Sequence, residues 1–114
     1  MAKEYNWHRV ADADDELAAE AVITVQDVAG KKVCVTRYQG ELYAFAHKCP
    51  HAGAFMQEGY IDAVGNIVCP LHRYKFSVKN GRNTSGEGFY LKTYPIELRP
   101  EGVFIGFEKG WFSW

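Results

Sequence analysis

The chain has 114 residues, 47% of them apolar, and a formal charge of −1 at pH 7. That length fits one domain with a modest core, and the near-neutral charge gives no electrostatic case for binding nucleic acid. No stretch approaches the roughly 20 apolar residues of a membrane span, the N-terminus has no apolar signal-peptide core, and three cysteines, an odd count, argue against a disulfide framework. A cytoplasmic protein folded as a single domain over residues 1–114 is expected.

In chain order, no strand is read before residue 22, and ADADDELAAEAV (11–22) reads as a solvated acidic turn. VITVQDV (22–28) and KKVCVTRY (31–38) are rich in β-branched residues and turn at Ala29-Gly30. A second turn at Gln39-Gly40 leads into LYAFAHKC, where Leu42, Ala44 and Ala46 alternate with Tyr43 and Phe45. EGYIDAVGNIVCP predicts a hairpin turning near Val64-Gly65-Asn66. RYKFSVKNG puts Tyr74, Phe76 and Val78 on one face and Arg73, Lys75, Ser77 and Lys79 on the other. Asn80-Gly81 carries the signal of a type I′ hairpin, and LKTYPIELRPEGVFIGFE reads as a last pair of strands around Pro100-Glu101-Gly102. The fold class is all-β, an antiparallel β-sandwich or small barrel.

Two scarce residue types coincide twice. Cys49 and His51 flank Pro50, while Cys69 and His72 flank Pro70-Leu71. Each pair follows a predicted strand, so two loops can bring one thiolate and one imidazole each to a single point. Pro50 and Pro70 stiffen the loops, and Gly53 allows a sharp return. Two sulfur and two nitrogen donors suit either tetrahedral zinc or an iron–sulfur cluster. Zinc fits less well. The first pair has one intervening residue, each loop mixes Cys with His, and a β-rich core of this size does not need a metal in order to fold.

C-P-H-A-G (49–53) and C-P-L-H (69–72), with seventeen residues between His51 and Cys69, resemble the Rieske [2Fe–2S] family. YAFAHKCPH, EGYID, NIVCPLH and KFSVKNGR extend the likeness over most of the chain, from about Trp7 to Phe107. The resemblance implies a Rieske-like fold with a smaller cluster-binding subdomain of two ligand loops, at about residues 46–80, and one [2Fe–2S] cluster per chain. It also implies that Cys49 and Cys69 bind the inner iron and that His51 and His72 bind the outer one. Two histidines in place of two cysteines raise the potential above that of plant-type ferredoxins.

Rieske domains of cytochrome bc-type complexes carry a loop-to-loop disulfide, but the matching positions here are Ala54 and Leu71. The serine and tyrosine that hydrogen-bond cluster sulfurs in those domains are matched by Tyr74 and Phe76. A low-potential cluster is therefore expected, below about 0 mV on the family scale of roughly −150 to +300 mV. Many low-potential members read C-P-x-H-G-W, whereas here Arg73 follows His72. Cys34 is expected to be core, His47 a surface residue near the cluster, and His8 exposed. The loop residues Ala52, Phe55, Met56, Pro70 and Leu71 are expected to ring the histidines. Arg73, Lys75, Lys79 and Arg82 read as an ordinary solvated hairpin face, with a basic flank for an acidic partner as the alternative.

The resemblance implies a Rieske-type ferredoxin, not an enzyme, that carries one electron from a reductase to an oxygenase of the ring-hydroxylating kind. The competing readings are the small subunit of a larger reductase such as nitrite reductase, and a structural zinc module.

Overall fold

The computed structural model describes residues 4–50, 53–71, 73–86 and 88–109. Its strands are β1 (Tyr5–Ala11), β2 (Thr24–Val28), β3 (Lys31–Tyr38), β4 (Glu41–Ala46), β5 (Tyr60–Ile61), β6 (Asn66–Val68), β7 (Lys75–Ser77), β8 (Thr93–Tyr94), β9 (Ile96–Arg99) and β10 (Gly102–Glu108). One 3₁₀ turn, Met56–Glu58, precedes β5. The strands form three antiparallel sheets, ordered β1-β10-β9, β2-β3-β4-β8 and β5-β6-β7.

The central sheet is built by two X-Gly turns. Ala29 and Gly30 (φ +51° and +83°) join β2 to β3, and Gln39 and Gly40 (+52° and +83°) join β3 to β4. Positive φ at both central residues is the type I′ geometry, whose twist matches that of paired strands. The second turn is held from outside the hairpin. The Glu20 carboxylate accepts the N–H groups of Gln39 and Gly40, and Arg37 donates to the carbonyls of Glu16, Ala18 and Gly40. The acidic segment is non-helical, as expected, yet it is not wholly solvated. Ala18 is buried among Val28, Val33, Val35 and Ile105.

Strand β3 is covered on both faces. Val33 and Val35, with Ala44 of β4, join the core against β10. Cys34, with Phe45 of β4 opposite it, joins the other core with Ile61, Ile67 and Phe76 of the small sheet. The period-two alternation read in residues 42–46 sorts Leu42 and Ala44 to one core and Tyr43 and Phe45 to the other, rather than between core and water, but Ala46 breaks it by packing on the cysteine core with Tyr43 and Phe45.

Three expectations need correction. Tyr5–Ala11 is a strand, paired to β10 from Tyr5↔Glu108 to Ala11↔Val103. Its apolar residues alternate poorly because neither face is fully covered, so its pairing comes from β10 and not from its own pattern. His8 is half-buried, its ring 5.1 Å from that of Phe107. The turn after β7 is not type I′: only Gly81 has positive φ (+75°), and its N–H closes a five-residue bend on the Ser77 carbonyl at 2.8 Å. Gly81 cannot carry a side chain there, since a Cβ would lie 1.9 Å from the Leu91 carbonyl oxygen.

Candidate metal centre: two cysteine loops

Both loops leave strands of antiparallel sheets and close in the same way. After β4, the Cys49 N–H donates to the Ala54 carbonyl at 2.7 Å, and the Gly53 N–H returns to the Cys49 carbonyl at 2.9 Å. After β6, the Cys69 N–H donates to the Tyr74 carbonyl at 2.8 Å. Each cysteine therefore bonds the carbonyl five residues ahead. Each loop also turns through a left-handed residue four places after its cysteine, Gly53 at φ +68° and Arg73 at φ +58°. Glycine takes that conformation without strain, whereas for an ordinary residue it costs about 1–2 kcal/mol. Arg73 keeps the bend that the missing glycine would have made.

The loops deliver their cysteines to one place. Cys49 is 2% exposed and Cys69 fully buried, both are free thiols, and both belong to the apolar cluster that holds Met56, Ile61, Ile67 and Phe76. Burial, together with a hydrogen bond and charge repulsion from Cys49, pushes the Cys69 thiol up to about 11, and the Leu71 N–H that donates to its sulfur acts the other way. Two thiolates this close and this dry repel each other and lack solvation; a bound cation relieves both costs. The pair thus fits a multivalent metal centre that holds two sulfurs on its buried side.

Among the described residues no group of three or more potential metal ligands occurs. His51 and His72, the other members of the expected set, lie outside the described residues, as does Ala52. Cys34 is fully buried in β3, and burial pushes its thiol up to about 12. It behaves as a small core residue, as expected.

The apolar rim differs from the expected one. Phe55 and Leu71 are exposed, but Met56 is fully buried and packs under the loops beside the cysteines. The sequence reading missed Phe89, which adds exposed aromatic surface to the second loop from the segment before β8. Phe89 stacks on Tyr74 of the second loop, ring centroids 5.9 Å apart. Two adjacent aromatics after the small residues Ser85-Gly86 were the available signal. His47 packs on Phe55 at 4.7 Å, and its Nε2 lies 2.7 Å from Gln57 Oε1, which ties the entry of the first loop to the 3₁₀ turn.

The fold and site define a small all-β protein with paired cysteine loops of the iron–sulfur kind. Comparisons with known proteins agree. The Rieske [2Fe–2S] domain family model matches residues 6–95. The ferredoxin component of the naphthalene 1,2-dioxygenase system of Pseudomonas putida is 34% identical over 101 residues, 87% of this chain and 93% of that protein. Among solved structures, the ferredoxin of carbazole 1,9a-dioxygenase from Nocardioides aromaticivorans IC177 matches with a TM-score of 0.75 at 29% identity, covering 91% of this chain and 99% of that one. A chain in a complex of reduced oxygenase and oxidised ferredoxin of carbazole 1,9a-dioxygenase matches with a TM-score of 0.75 at 27% identity, covering 91% of this chain and 95% of that one. The chain belongs to the Rieske [2Fe–2S] domain family, and its cofactor is a [2Fe–2S] cluster.

Proposed function

We propose that this protein is a Rieske-type ferredoxin that carries single electrons from a reductase to an oxygenase of a dioxygenase-like system. The observation that carries the reading is the meeting of Cys49 and Cys69, two buried free thiols on loops of matching construction. The Pseudomonas putida relative and the oxygenase–ferredoxin complex support the partner class. Residues 1–114 would act as a single domain, with residues of about 46–80 as the cluster-binding part. No helix is long and apolar enough to cross a membrane among the described residues, and a cytoplasmic carrier, not an enzyme, is the reading we adopt.

In this reading Cys49 and Cys69 would hold one iron of the cluster as thiolates, and His51 and His72 would hold the other through imidazole nitrogens. The cluster supplies reversible one-electron chemistry. The chain supplies its setting. Met56, Ile61, Ile67 and Phe76 exclude water from the cysteine side, and the Leu71 N–H stabilises negative charge on the Cys69 sulfur. Phe55 and Leu71 on the loops, and Phe89 stacked on Tyr74, are exposed apolar side chains suited to brief contact with another protein.

Absorption and electron paramagnetic resonance spectra before and after dithionite test the reading, with iron and sulfide assays on the same sample. About two irons and two sulfides per chain, with a rhombic signal on reduction, are expected. A colourless protein that binds one zinc and resists anaerobic reconstitution would overturn it.

A further inference from the structure

Past Lys109 the chain reads Gly110-Trp111-Phe112-Ser113-Trp114, five residues that lie outside the described ones. Three are aromatic and none is charged, and electron carriage gives them no task. The sequence alone leaves two uses for them, folding back on the sheet or joining a subunit contact. The surroundings of Lys109 favour the first.

Strand β10 ends on the rim of a groove of about 710 Å³, within the usual size of a binding pocket. Tyr5, Tyr90, Pro95, Gly106 and Glu108 line it, together with Leu42 of β4. The Lys109 N–H donates to the Glu4 carbonyl at 2.8 Å, and Lys92 pairs with Glu108 at 3.8 Å, so the chain is held at this rim up to the first residue of the tail.

One wall of the groove is an unfinished sheet edge. Among the described residues β8 pairs with β4 only at Ala44↔Tyr94 and Phe45↔Thr93. Pro95 then carries the chain across to β9, where Ile96 pairs with Ile105. The Ala46 N–H donates to the Lys92 carbonyl on this side. A strand repeats every two residues, so Leu42 turns its N–H and C=O the same way. No described strand meets Leu42 there. Soluble proteins normally cover or charge such an edge.

Reach and direction also fit. Residues 92–96 run antiparallel to β4 and to β10, so β10 ends level with Lys92 and the groove runs back from there toward Leu42. A tail that enters it has to reverse, and Gly110 accepts the backbone of any such turn. Four extended residues after it span about 13 Å, the same run as β4 from Ala46 back to Leu42.

We propose that Trp111, Phe112 and Trp114 fold back into this groove along the free edge of β4 at Leu42, so that the chain's own tail closes the sandwich on that side. A segment tethered at the rim has an effective concentration in the mM range, which a second copy or a separate partner does not match in dilute solution. The charged groups that line the groove balance, Lys79 and Lys92 against Glu41 and Glu108. It therefore has no net charge to draw an ionic partner, and an uncharged aromatic segment suits it. The inference is independent of the electron-carrier reading.

The test labels the holo protein with 5-fluorotryptophan, which puts one fluorine on each of Trp7, Trp111 and Trp114. Trp→Phe variants assign the three fluorine resonances, and the shift change between H₂O and D₂O reads solvent exposure. Trp111 and Trp114 should show less than about half the change of free 5-fluorotryptophan, whatever the protein concentration. Tyr90→Glu, which puts a charge on the exposed lip of the groove, should move both toward the free value. Val64→Glu, the same charge on an exposed residue outside the groove, should not. Removing residues 110–114 should speed hydrogen exchange of the Leu42 amide about tenfold.

Full solvent exposure of both tail tryptophans overturns the proposal. So does shielding that grows with protein concentration, which would seat the tail on a second copy. Shielding that ignores Tyr90→Glu, or a Leu42 amide that exchanges equally fast with and without the tail, would place these residues elsewhere on the chain and likewise overturn it.

Discussion

Gly53 and Arg73 hold equivalent places in the two cysteine loops, each four residues past its cysteine and each left-handed, at φ +68° and +58°. Only one of them is a residue that suits the geometry. Arg73→Gly should therefore stabilise the protein by about 1 kcal/mol, the relief of left-handed strain less the extra freedom that glycine has in the unfolded chain. Thermal unfolding of the two holo proteins at matched pH checks this. A fall in stability would mean that the arginine side chain makes a compensating contact.

Cys34 shares a core with Cys49 and Cys69 but sits in the strand scaffold. Cys34→Ala should retain a full complement of iron and an unchanged spectrum, and cost about 1–2 kcal/mol for the small cavity left behind. Cys69→Ala should lose the cluster. Equal iron loss in both variants would place Cys34 in the metal site.

The same thiol gives an alkaline signature. Its value rises from 9.0 to about 12 on burial, so the folded state keeps a proton that the unfolded state releases above pH 9. The stabilisation is complete below pH 9 and is lost as pH climbs toward 12, at up to about 1.4 kcal/mol per pH unit. The stability gap between wild type and Cys34→Ala should shrink over that range. A gap that is flat from pH 8 to 11 would contradict the burial.

Asp62 marks the acid side. Burial pushes its carboxyl up, but hydrogen bonds from the Asn66 backbone and side chain and from the Val64 N–H, with Lys75 alongside, outweigh that and hold it below its ordinary 3.8. Its contribution is present above that value and lost as pH falls through the lower folded one. Asp62→Ala should cost about 1–2 kcal/mol at pH 7 and less at pH 3. Denaturation curves at the two pH values decide it.

Phe76 is fully buried in the cysteine core and has no hydroxyl to offer a cluster sulfur. A redox titration should place the midpoint below about 0 mV, in the lower part of the family range. A value above about +200 mV would mean that other donors fill the place of the missing hydroxyl.

Much of this is legible in the sequence itself. X-Gly pairs announced the hairpins at Ala29-Gly30 and Gln39-Gly40 because few other local signals demand two positive φ values in succession. The cysteines stood out through their shared spacing. What escaped depends on distant neighbours. Strand β1 is defined by β10, nearly a hundred residues away, and Met56 is buried only because the small sheet closes over it. Phe89 joins the second loop through a stack with Tyr74, a contact that no local pattern encodes. Asn80-Gly81 misled for the opposite reason. Its local preference was plain, but the close approach to Leu91 selected a longer bend in which glycine alone is left-handed.

Strand β3 acts as a party wall. Val33 and Val35 serve one core while Cys34 serves the other, so neither side can loosen without disturbing its neighbour. The cysteine loops inherit their stiffness from the whole sandwich, and their atoms have little room to shift when an electron arrives or leaves. Small nuclear displacement means a small reorganisation energy, and that in turn means fast exchange at modest driving force. A strand walled in by two cores thereby helps set how quickly the molecule can hand its charge on.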